Sequence, residues 1–267
     1  MTSSVVAVWS HRSVLRLLVQ RDLTLKYQQS VLGYLWSLIE PLSMGFIYWF
    51  VFDVLYGAKS KPEGPDYAVF ILSGIFAWMW ASTAMSEATS ALTGQARLIT
   101  TMKVPREVFP IARVLGRFAE FLAGLPILAA AALLLGAKLD WHLLALPLAI
   151  VLQAALLVGL SLLLSSGNVL LRDVERFVRL AQRVLFYAAP IIYPLQLVEE
   201  SSAPRWVKIV YEINPLTGIF QLHHAAWGYP SEFSWSLTGI SAAGCLILLL
   251  GGWWVFRRLE PAVLKEL

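Results

Sequence analysis

The chain contains apolar runs long enough to cross a lipid bilayer, and this constrains its fold more than any other feature. About 20 apolar residues are needed to span a hydrocarbon core of about 30 Å. Six runs approach or exceed that length, and the fifth is the shortest and contains Pro190 and Pro194. The predicted spans are 35–56, 67–92, 111–135, 142–166, 184–198 and 235–256. We therefore predict an all-α integral membrane protein with six transmembrane helices.

Composition agrees with a single membrane domain. Hydrophobic residues make up 58% of the 267 residues, charged residues only 14%, and the mean hydropathy is +0.67. Soluble domains are about a quarter charged. No loop is long enough to fold by itself, so residues 1–267 are predicted to form one domain. It comprises a cytoplasmic amphipathic segment (1–34), a six-span region (35–256) and a cytoplasmic tail (257–267).

The distribution of basic residues predicts the orientation. Sixteen of the 21 Lys and Arg residues lie in the N-terminal segment, the second–third loop, the fourth–fifth loop and the tail, all on one side of the predicted topology. Basic residues accumulate on the cytoplasmic side. Both termini are therefore predicted to be cytoplasmic, in a multi-pass protein of a bacterial inner membrane without a cleavable signal peptide. The net charge of +4 reflects this topology and does not indicate nucleic-acid binding.

Residues 12–26 mix apolar and basic residues with helical periodicity. Val14, Leu15, Leu18, Leu23 and Leu25 share one arc at 100° per residue. This pattern predicts a helix on the cytoplasmic membrane surface, with a solvated cytoplasmic helix as the alternative. Asp22 falls within the apolar arc, and the pairing expected for it is with Lys26, four residues on.

The last outer loop is apolar and aromatic from 204 to 227, but Asn214, Pro215 and Gly218 interrupt it. It is predicted to form short re-entrant helices, the alternative being an ordered surface loop.

Residues with the spacing of a catalytic or metal site are not apparent. The sequence lacks a GxxxxGK[S/T] phosphate loop, so no ATP hydrolysis by this chain alone is expected. His223 and His224 are adjacent, and neighbours on a helix point in different directions, which disfavours a shared metal ion. We expect them to be interfacial residues of the outer loop, and Cys245 to be a packing residue.

Charged residues enter the predicted spans near their cytoplasmic ends, at Glu40, Glu87, Arg117 and Glu120. Intramembrane charges are candidates for function by default. The favoured interpretation is an ion-pair cluster that pins the first three spans together, with Arg117 and Glu120 paired at i,i+3. A polar entrance for a charged lipid headgroup, or snorkelling to the interface, are the alternatives.

Aromatic residues recur on the outer half of the first span. Trp49, Phe52 and Tyr56 share one helical face, and Phe186, Tyr187 and Tyr193 of the fifth span are predicted to face it. Sugar rings stack on aromatic rings, so these residues are candidates for a sugar path. An interfacial aromatic belt is the alternative.

Two segments carry a recognisable family pattern. The first is LVQRDLTLKYQQSVLGYLWSLIEPL at 18–42, and the second is RLITTMKVPREVFP at 97–110. Both segments resemble those of polysaccharide-exporting ABC permeases of type 2. The residues that match the first pattern are Arg21, Asp22, Lys26, Tyr27, Ser30, Leu32, Gly33, Trp36 and Pro41.

The resemblance implies a transport function. Members of this family export lipid-linked glycans or polyol-phosphate polymers such as O-antigen, capsule, teichoic acid and galactan. Two permease copies pair with two ATPase subunits, which bind the ATP and Mg. A drug or small-lipid exporter is one alternative for this chain, and a membrane-embedded glycosyl- or acyltransferase is another.

The resemblance also places a coupling helix in the second–third loop. Apolar residues there are expected to fill a groove on the ATPase, basic residues to reach carboxylates at its rim, and a proline to limit the helix. The candidate coupling residues are Arg97, Leu98, Ile99, Met102, Lys103, Pro105 and Arg106.

Overall fold

A computed structural model describes residues 8–28, 30–55, 57, 62–101, 104–138 and 140–266, and the regular elements within them are all helical. The helices are α1 (Arg12–Tyr27), α2 (Trp36–Trp49), α3 (Tyr67–Thr89), α4 (Ala96–Thr101), α5 (Val108–Leu134), α6 (Ala145–Leu170), α7 (Val174–Tyr187), α8 (Gln196–Glu199), α9 (Arg205–Ile213), α10 (Pro215–Ala226) and α11 (Trp235–Glu266). Short 3-10 turns precede α2 and α6, and a π-helical turn, Phe50–Leu55, continues α2. The all-α prediction is confirmed.

Five predicted spans correspond to long apolar helices. Within the described residues, the segments long and apolar enough to cross a membrane are Gly33–Leu55, Tyr67–Thr89, Val108–Leu134, Trp141–Leu170 and Trp235–Glu266. The last continues well past the predicted end at 256. Its 32 residues measure about 48 Å at 1.5 Å per residue, so it is longer than the hydrocarbon core is thick.

The fifth predicted span is wrong as a continuous helix. In place of a helix at 184–198, α7 ends at Tyr187 and residues 188–195 are irregular, since Pro190 and Pro194 prevent regular hydrogen bonding there. The segment nevertheless follows α3 along its length. Gln182 of α7 donates to the Ser82 carbonyl at 2.8 Å, and Tyr67 at the other end of α3 donates to the Ile192 carbonyl at 2.6 Å. The count of six crossings stays a prediction.

Helix α3 is the centre of the bundle, whereas the first span lies at its edge. About 72% of the apolar stretch of α3 is buried, against 11% for the first span. The cap of α3 is local, because the Asp66 side chain accepts from the Ala68 amide at 2.9 Å. A helix that contacts neighbours on all sides needs apolar residues all round, which the α3 sequence provides.

Helices α6 and α11 approach backbone to backbone. A Cβ on Gly252 would lie 2.1 Å from the Gly159 carbonyl oxygen, so only glycine fits at this crossing. Small residues allow this close packing between membrane helices. Cys245 of α11 is buried, as expected for a packing residue.

The segment 204–227 forms a helical hairpin of α9 and α10. Its turn is at Asn214, whose side chain caps α10 by accepting from the Leu216 amide at 3.1 Å and also donates to the Ala188 carbonyl at 3.0 Å. Helix α10 is buried along its whole length between α3, α6 and α11. The prediction of short helices in this loop agrees with the structure, while their re-entry into the membrane stays a prediction.

The buried apolar residues form two clusters. The larger surrounds α3 and α10. The smaller combines residues of α1, α4, the start of α5 and the ends of α6 and α11. Leu18 and Ile99 belong to it together with Val263 near the end of α11. Helix α1 is therefore packed against the protein as well as amphipathic.

Candidate functional site

Charged residues in the last turn of α3 and the first half of α5 form a cluster around Arg117. Its side chain is 2% exposed, with Nε 3.1 Å from a Glu87 oxygen and Nη1 2.5 Å from a Glu120 oxygen. The ion-pair interpretation is confirmed for these three residues, including the predicted i,i+3 pair. A buried guanidinium with five fixed donors can hold two carboxylates at once, as Arg117 does here.

Helix α1 joins the same cluster. Lys26 Nζ lies 3.1 Å from Glu120 Oε1, and the Tyr27 hydroxyl also donates to this carboxylate. Asp22 is buried and lies 3.1 Å from Arg113 of α5 and 3.1 Å from Arg21. The expected Asp22–Lys26 pair is therefore wrong, because α5 supplies each of these residues with a partner of opposite charge.

Glu40 of the first span lines a small cavity beside the cluster but makes no ion pair with another described residue. The cavity measures about 40 Å³, room for a few water molecules at about 10–15 Å³ each. The cluster therefore connects α1, α3 and α5. The prediction that it connects the first three spans is wrong, because α1 takes the place of the first span. This cavity is too small for a lipid headgroup, but a second, open pocket of about 590 Å³ is lined by Arg113 and Arg117, so the polar entrance stays a prediction.

The predicted coupling segment begins with α4, which is anchored in the smaller apolar cluster. Ile99 is 3% exposed and Leu98 is half-buried against the same cluster. The expectation that Ile99 fills a groove on a partner is wrong, since it is already buried within this chain. Arg97, Thr100 and Thr101 are the exposed side chains of α4. Met102 and Lys103 lie outside the described residues.

Two ion pairs brace the end of this segment against α11. Arg106 Nη1 lies 3.5 Å from Glu260, and Arg257 Nε lies 3.1 Å from Glu107, which is 2% exposed. Pro105 separates α4 from these residues. Arg106 was expected to reach carboxylates on a partner, but it pairs with a carboxylate of this chain.

The family motif at 21–36 forms the turn from α1 into the first span. Ser30 Oγ accepts from the Gly33 amide at 3.2 Å, and Gly33 has φ +48°, a conformation that glycine adopts without strain. The Tyr27 ring packs on Tyr34 with centroids 4.3 Å apart, and Trp36 is 51% exposed. The motif thus shapes the connection between α1 and the first span.

The candidate sugar-path residues come together only in part. Phe52 and Phe186 both pack on Tyr48, with ring centroids 6.3 and 5.4 Å away, and Tyr187 packs on Phe186 at 5.1 Å. Trp49 instead packs on Phe46 at 6.0 Å, because the π-helical turn after it changes the helical register.

Tyr193 is joined to this group through the backbone of Tyr187. Tyr193 donates to the Tyr187 carbonyl at 2.5 Å and shares a 2.8 Å hydrogen bond with Tyr211 of α9. Tyr56 lies outside the described residues.

The two histidines are buried, not interfacial as expected. His223 Nε2 bonds Gln153 at 2.9 Å, and the amide of Gln153 donates to the Ala77 carbonyl at 2.8 Å. His224 bonds Ser73 at 2.8 Å and the Pro190 carbonyl at 3.0 Å. The three ring nitrogens that form these hydrogen bonds each have a different partner. The two histidines therefore link α10 to α3, α6 and the irregular segment 188–195.

Sequence reasoning missed Gln153, Glu107 and Tyr48 as partners. A signal existed for Gln153, which is the one carboxamide in an otherwise aliphatic stretch of α6. Polar residues in the middle of a span are expensive and usually have a specific partner. Glu107 and Tyr48 had no comparable signal, since neither interrupts an aliphatic stretch.

Comparison with known proteins adds a family. Residues 13–225 match the model of the family described as ABC-2 type transporter. The chain is 31% identical over 208 residues to the O-antigen export system permease protein RfbA of Klebsiella pneumoniae, covering 77% of this chain and 76% of that protein. It is 27% identical over 218 residues to the protein of the same name from Myxococcus xanthus, covering 82% and 81%.

Proposed function

Because the chain belongs to the ABC-2 type transporter family, we propose that it is the permease subunit of an exporter for a lipid-linked polysaccharide. The observation that carries the proposal is the similarity to two O-antigen export permeases over most of their length. The multi-pass helical architecture supports it. This similarity favours polysaccharide export over export of drugs or small lipids and over a membrane transferase.

The proposal extends to the assembly. Two copies of the chain pair with two ATPase subunits, which bind ATP and Mg, and the complex lies in the bacterial cytoplasmic membrane with both termini of the permease in the cytoplasm. The positions of the basic residues support that orientation. A teichoic-acid-like polymer is the alternative to a polysaccharide as the exported substrate.

Deletion of the gene in its own bacterium tests the function. Surface polysaccharide should disappear while its lipid-linked precursor accumulates inside the cell, and the wild-type gene should restore export. A transferase would instead leave a shortened or unmodified glycan. Unchanged surface polysaccharide together with increased drug sensitivity would identify a drug exporter.

We further propose that the segment 97–106 transmits the motion of the ATPase. Its support is mechanical: Ile99 anchors α4 in the smaller apolar cluster, and the ion pairs Arg106–Glu260 and Glu107–Arg257 brace the following turn against α11. A segment held at both ends moves with the helices that hold it. Force applied to the exposed face of α4 would therefore reach α1, α5 and α11 together.

The exposed residues of α4 provide the test. Arg97→Glu and Thr101→Glu should weaken association with the ATPase or uncouple ATP hydrolysis from export, because they introduce negative charge on the face left free. Arg258→Glu makes the same kind of change on exposed α11 and serves as the control. Normal co-purification and normal export by the double variant would show that α4 is not the coupling element.

We also propose that Tyr48, Phe52, Phe186 and Tyr187 form part of the sugar path between the first span and α7. The rings lie in contact across two elements, and the side chain of Tyr187 is 59% exposed. Phe52→Leu and Tyr187→Leu should reduce export at unchanged protein yield. Trp49→Leu, whose ring faces Phe46, is the matched control.

A further inference from the structure

Helix α7 carries a row of arginines on one face. Arg176, Arg179 and Arg183 follow one another at three- and four-residue spacing, which places them within an arc of about 60° at 100° per residue. We call these residues the arginine row. All three side chains are exposed in the protein chain, although α7 packs against α3 through Val178 and Phe186.

The row begins at the cytoplasmic end and runs into the depth of the bundle. Arg183 follows Gln182, whose side chain bonds the Ser82 carbonyl and Ser86 Oγ at 2.8 and 3.0 Å. Ser82 lies seven residues before the last residue of α3, Thr89, which corresponds to about 10 Å along the helix. Arg183 is therefore level with the inner part of the second span.

The row keeps a surplus of positive charge. Arg176 lies 3.4 Å from Asp173 and Arg179 lies 2.7 Å from Glu175, but both pairs are on the surface of the same helix and at least half exposed. Such pairs contribute little and exchange readily for a better anion. Arg183 makes no ion pair with a described residue.

Arg183, which lies level with the inner part of the second span, requires water, a counter-ion or protein beside it, because contact with hydrocarbon is costly for arginine. The exposed residues beside the row are apolar: Leu180 and Val184 are both 59% exposed. A basic face next to an apolar face matches a ligand with an anionic head and a hydrocarbon chain. Arginine binds phosphate oxygens in a bidentate manner, which makes phosphate the best-fitting anion.

We propose that the arginine row binds the phosphate or pyrophosphate group of the lipid-linked substrate on the cytoplasmic side, with the lipid chain along Leu180 and Val184. This inference rests on the proposed export of a lipid-linked glycan. It assigns to α7 the reception of the charged head. Arg183 lies deepest and is the residue that the head meets last before it moves outward.

Binding of a polyprenyl pyrophosphate to the purified full-length chain in detergent tests the inference, with the unphosphorylated polyprenol as comparison. Arg183→Gln should weaken binding of the pyrophosphate lipid about tenfold or more, since one charge-assisted contact is lost. Arg183→Lys should lose less affinity for this lipid, because lysine keeps the positive charge but cannot bind phosphate oxygens in a bidentate manner. Arg258→Gln, an exposed arginine on α11, is the matched control and should bind as the wild type does.

Competition separates the two sources of phosphate. Inorganic pyrophosphate could displace the lipid from the wild type but not from Arg183→Gln. That result would assign the contact to the phosphates alone. Displacement only by the lipid would assign it to a headgroup presented with its chain. Should Arg183→Gln fail to fold, Arg176→Gln at the exposed end provides the same measurement.

Two results would overturn the inference. One is that Arg183→Gln binds the pyrophosphate lipid with wild-type affinity, whether or not it has lost the ATPase partner. The other is that Arg258→Gln loses as much affinity for this lipid as Arg183→Gln does. Failure of the proposed function is recognised separately, because the wild-type gene would then not restore surface polysaccharide. A wild-type chain that exports polysaccharide but does not discriminate the pyrophosphate lipid from the polyprenol would refute the arginine row alone.

Discussion

Helices α1, α3 and α5 are joined by ionised side chains, whereas the junction of α3, α6 and α10 uses neutral groups. In the first region Arg117 holds Glu87 and Glu120, and Lys26 adds a second cation. In the second, Gln153 and His223 are bonded side chain to side chain, and both are 1% exposed or less. Both regions connect three helices, so the difference lies in the chemistry and not in the number of elements joined.

Position along α3 accounts for that difference. Glu87 is near one end of α3, where water and lipid phosphates solvate charge, whereas Ala77 in its middle is far from either. Ionised groups without water cost far more than hydrogen-bonded neutral ones. The neutral junction is thus suited to holding α10 in one place, and the ionic junction to responding to its surroundings.

The largest effect should come from removing the central cation. Arg117→Ala leaves two carboxylates without their buried partner and should lower the free energy of unfolding by about 3–5 kcal/mol. Denaturant unfolding of the purified chain in detergent measures it. Arg97→Ala removes an exposed cation and serves as the control, and a loss equal to that of the control would mean that the cluster is not stabilising.

Breaking the neutral junction should cost somewhat less. Gln153→Leu leaves the His223 ring and the Ala77 carbonyl without partners, at about 2–4 kcal/mol for two unsatisfied buried groups. The same unfolding measurement applies, with Gln196→Leu on exposed α8 as control. The loss should not change with salt, and a salt-dependent loss would contradict the description of this junction as neutral.

Glu232, in the turn between α10 and α11, is a buried carboxylate that no described cation pairs with. Burial, opposed by the hydrogen bond from the Leu195 backbone and assisted by the charge of Glu199, raises the pKa of Glu232 to about 7. The pKa of Glu232 is higher in the folded protein than in the unfolded chain. The contribution of this residue to stability is therefore fully present below about pH 4.5 and is lost as the pH rises through about 7.

Glu232→Gln should remove this pH dependence and stabilise the protein at neutral pH by roughly 1–3 kcal/mol. Thermal unfolding between about pH 5 and 8 measures it, and Glu212→Gln on exposed α9 is the control. An unchanged pH profile in Glu232→Gln would show that the carboxyl is not the group responsible.

The smallest effect concerns the exposed edge of the ionic cluster. Lys26 is 39% exposed in its side chain, so Lys26→Gln should cost less than about 1 kcal/mol at low salt. The difference from wild type should vanish near about 1 M salt, where the screening length is about 3 Å. A cost that persists at high salt would show that Lys26 acts through packing.

The sequence by itself determined the helical spans, because runs of apolar side chains can be buried in lipid whatever their neighbours are. Five predicted spans recur as helices, with α3 beginning at Tyr67 as predicted. The i,i+3 pair of Arg117 and Glu120 was also predictable, since both partners are on one helix. The family motif at 21–36 supplied the type of protein, as its similarity to known permeases confirms.

Only the tertiary structure decided which residues of different helices meet. Asp22 pairs with Arg113 and not with Lys26, Ile99 is buried in the protein, and His223 reaches Gln153 on α6. Helical periodicity states which side chains share a face, but not which neighbouring helix that face contacts or at what height. Those depend on the packing of the whole bundle, so the partners of buried polar groups were beyond the reach of the sequence pattern.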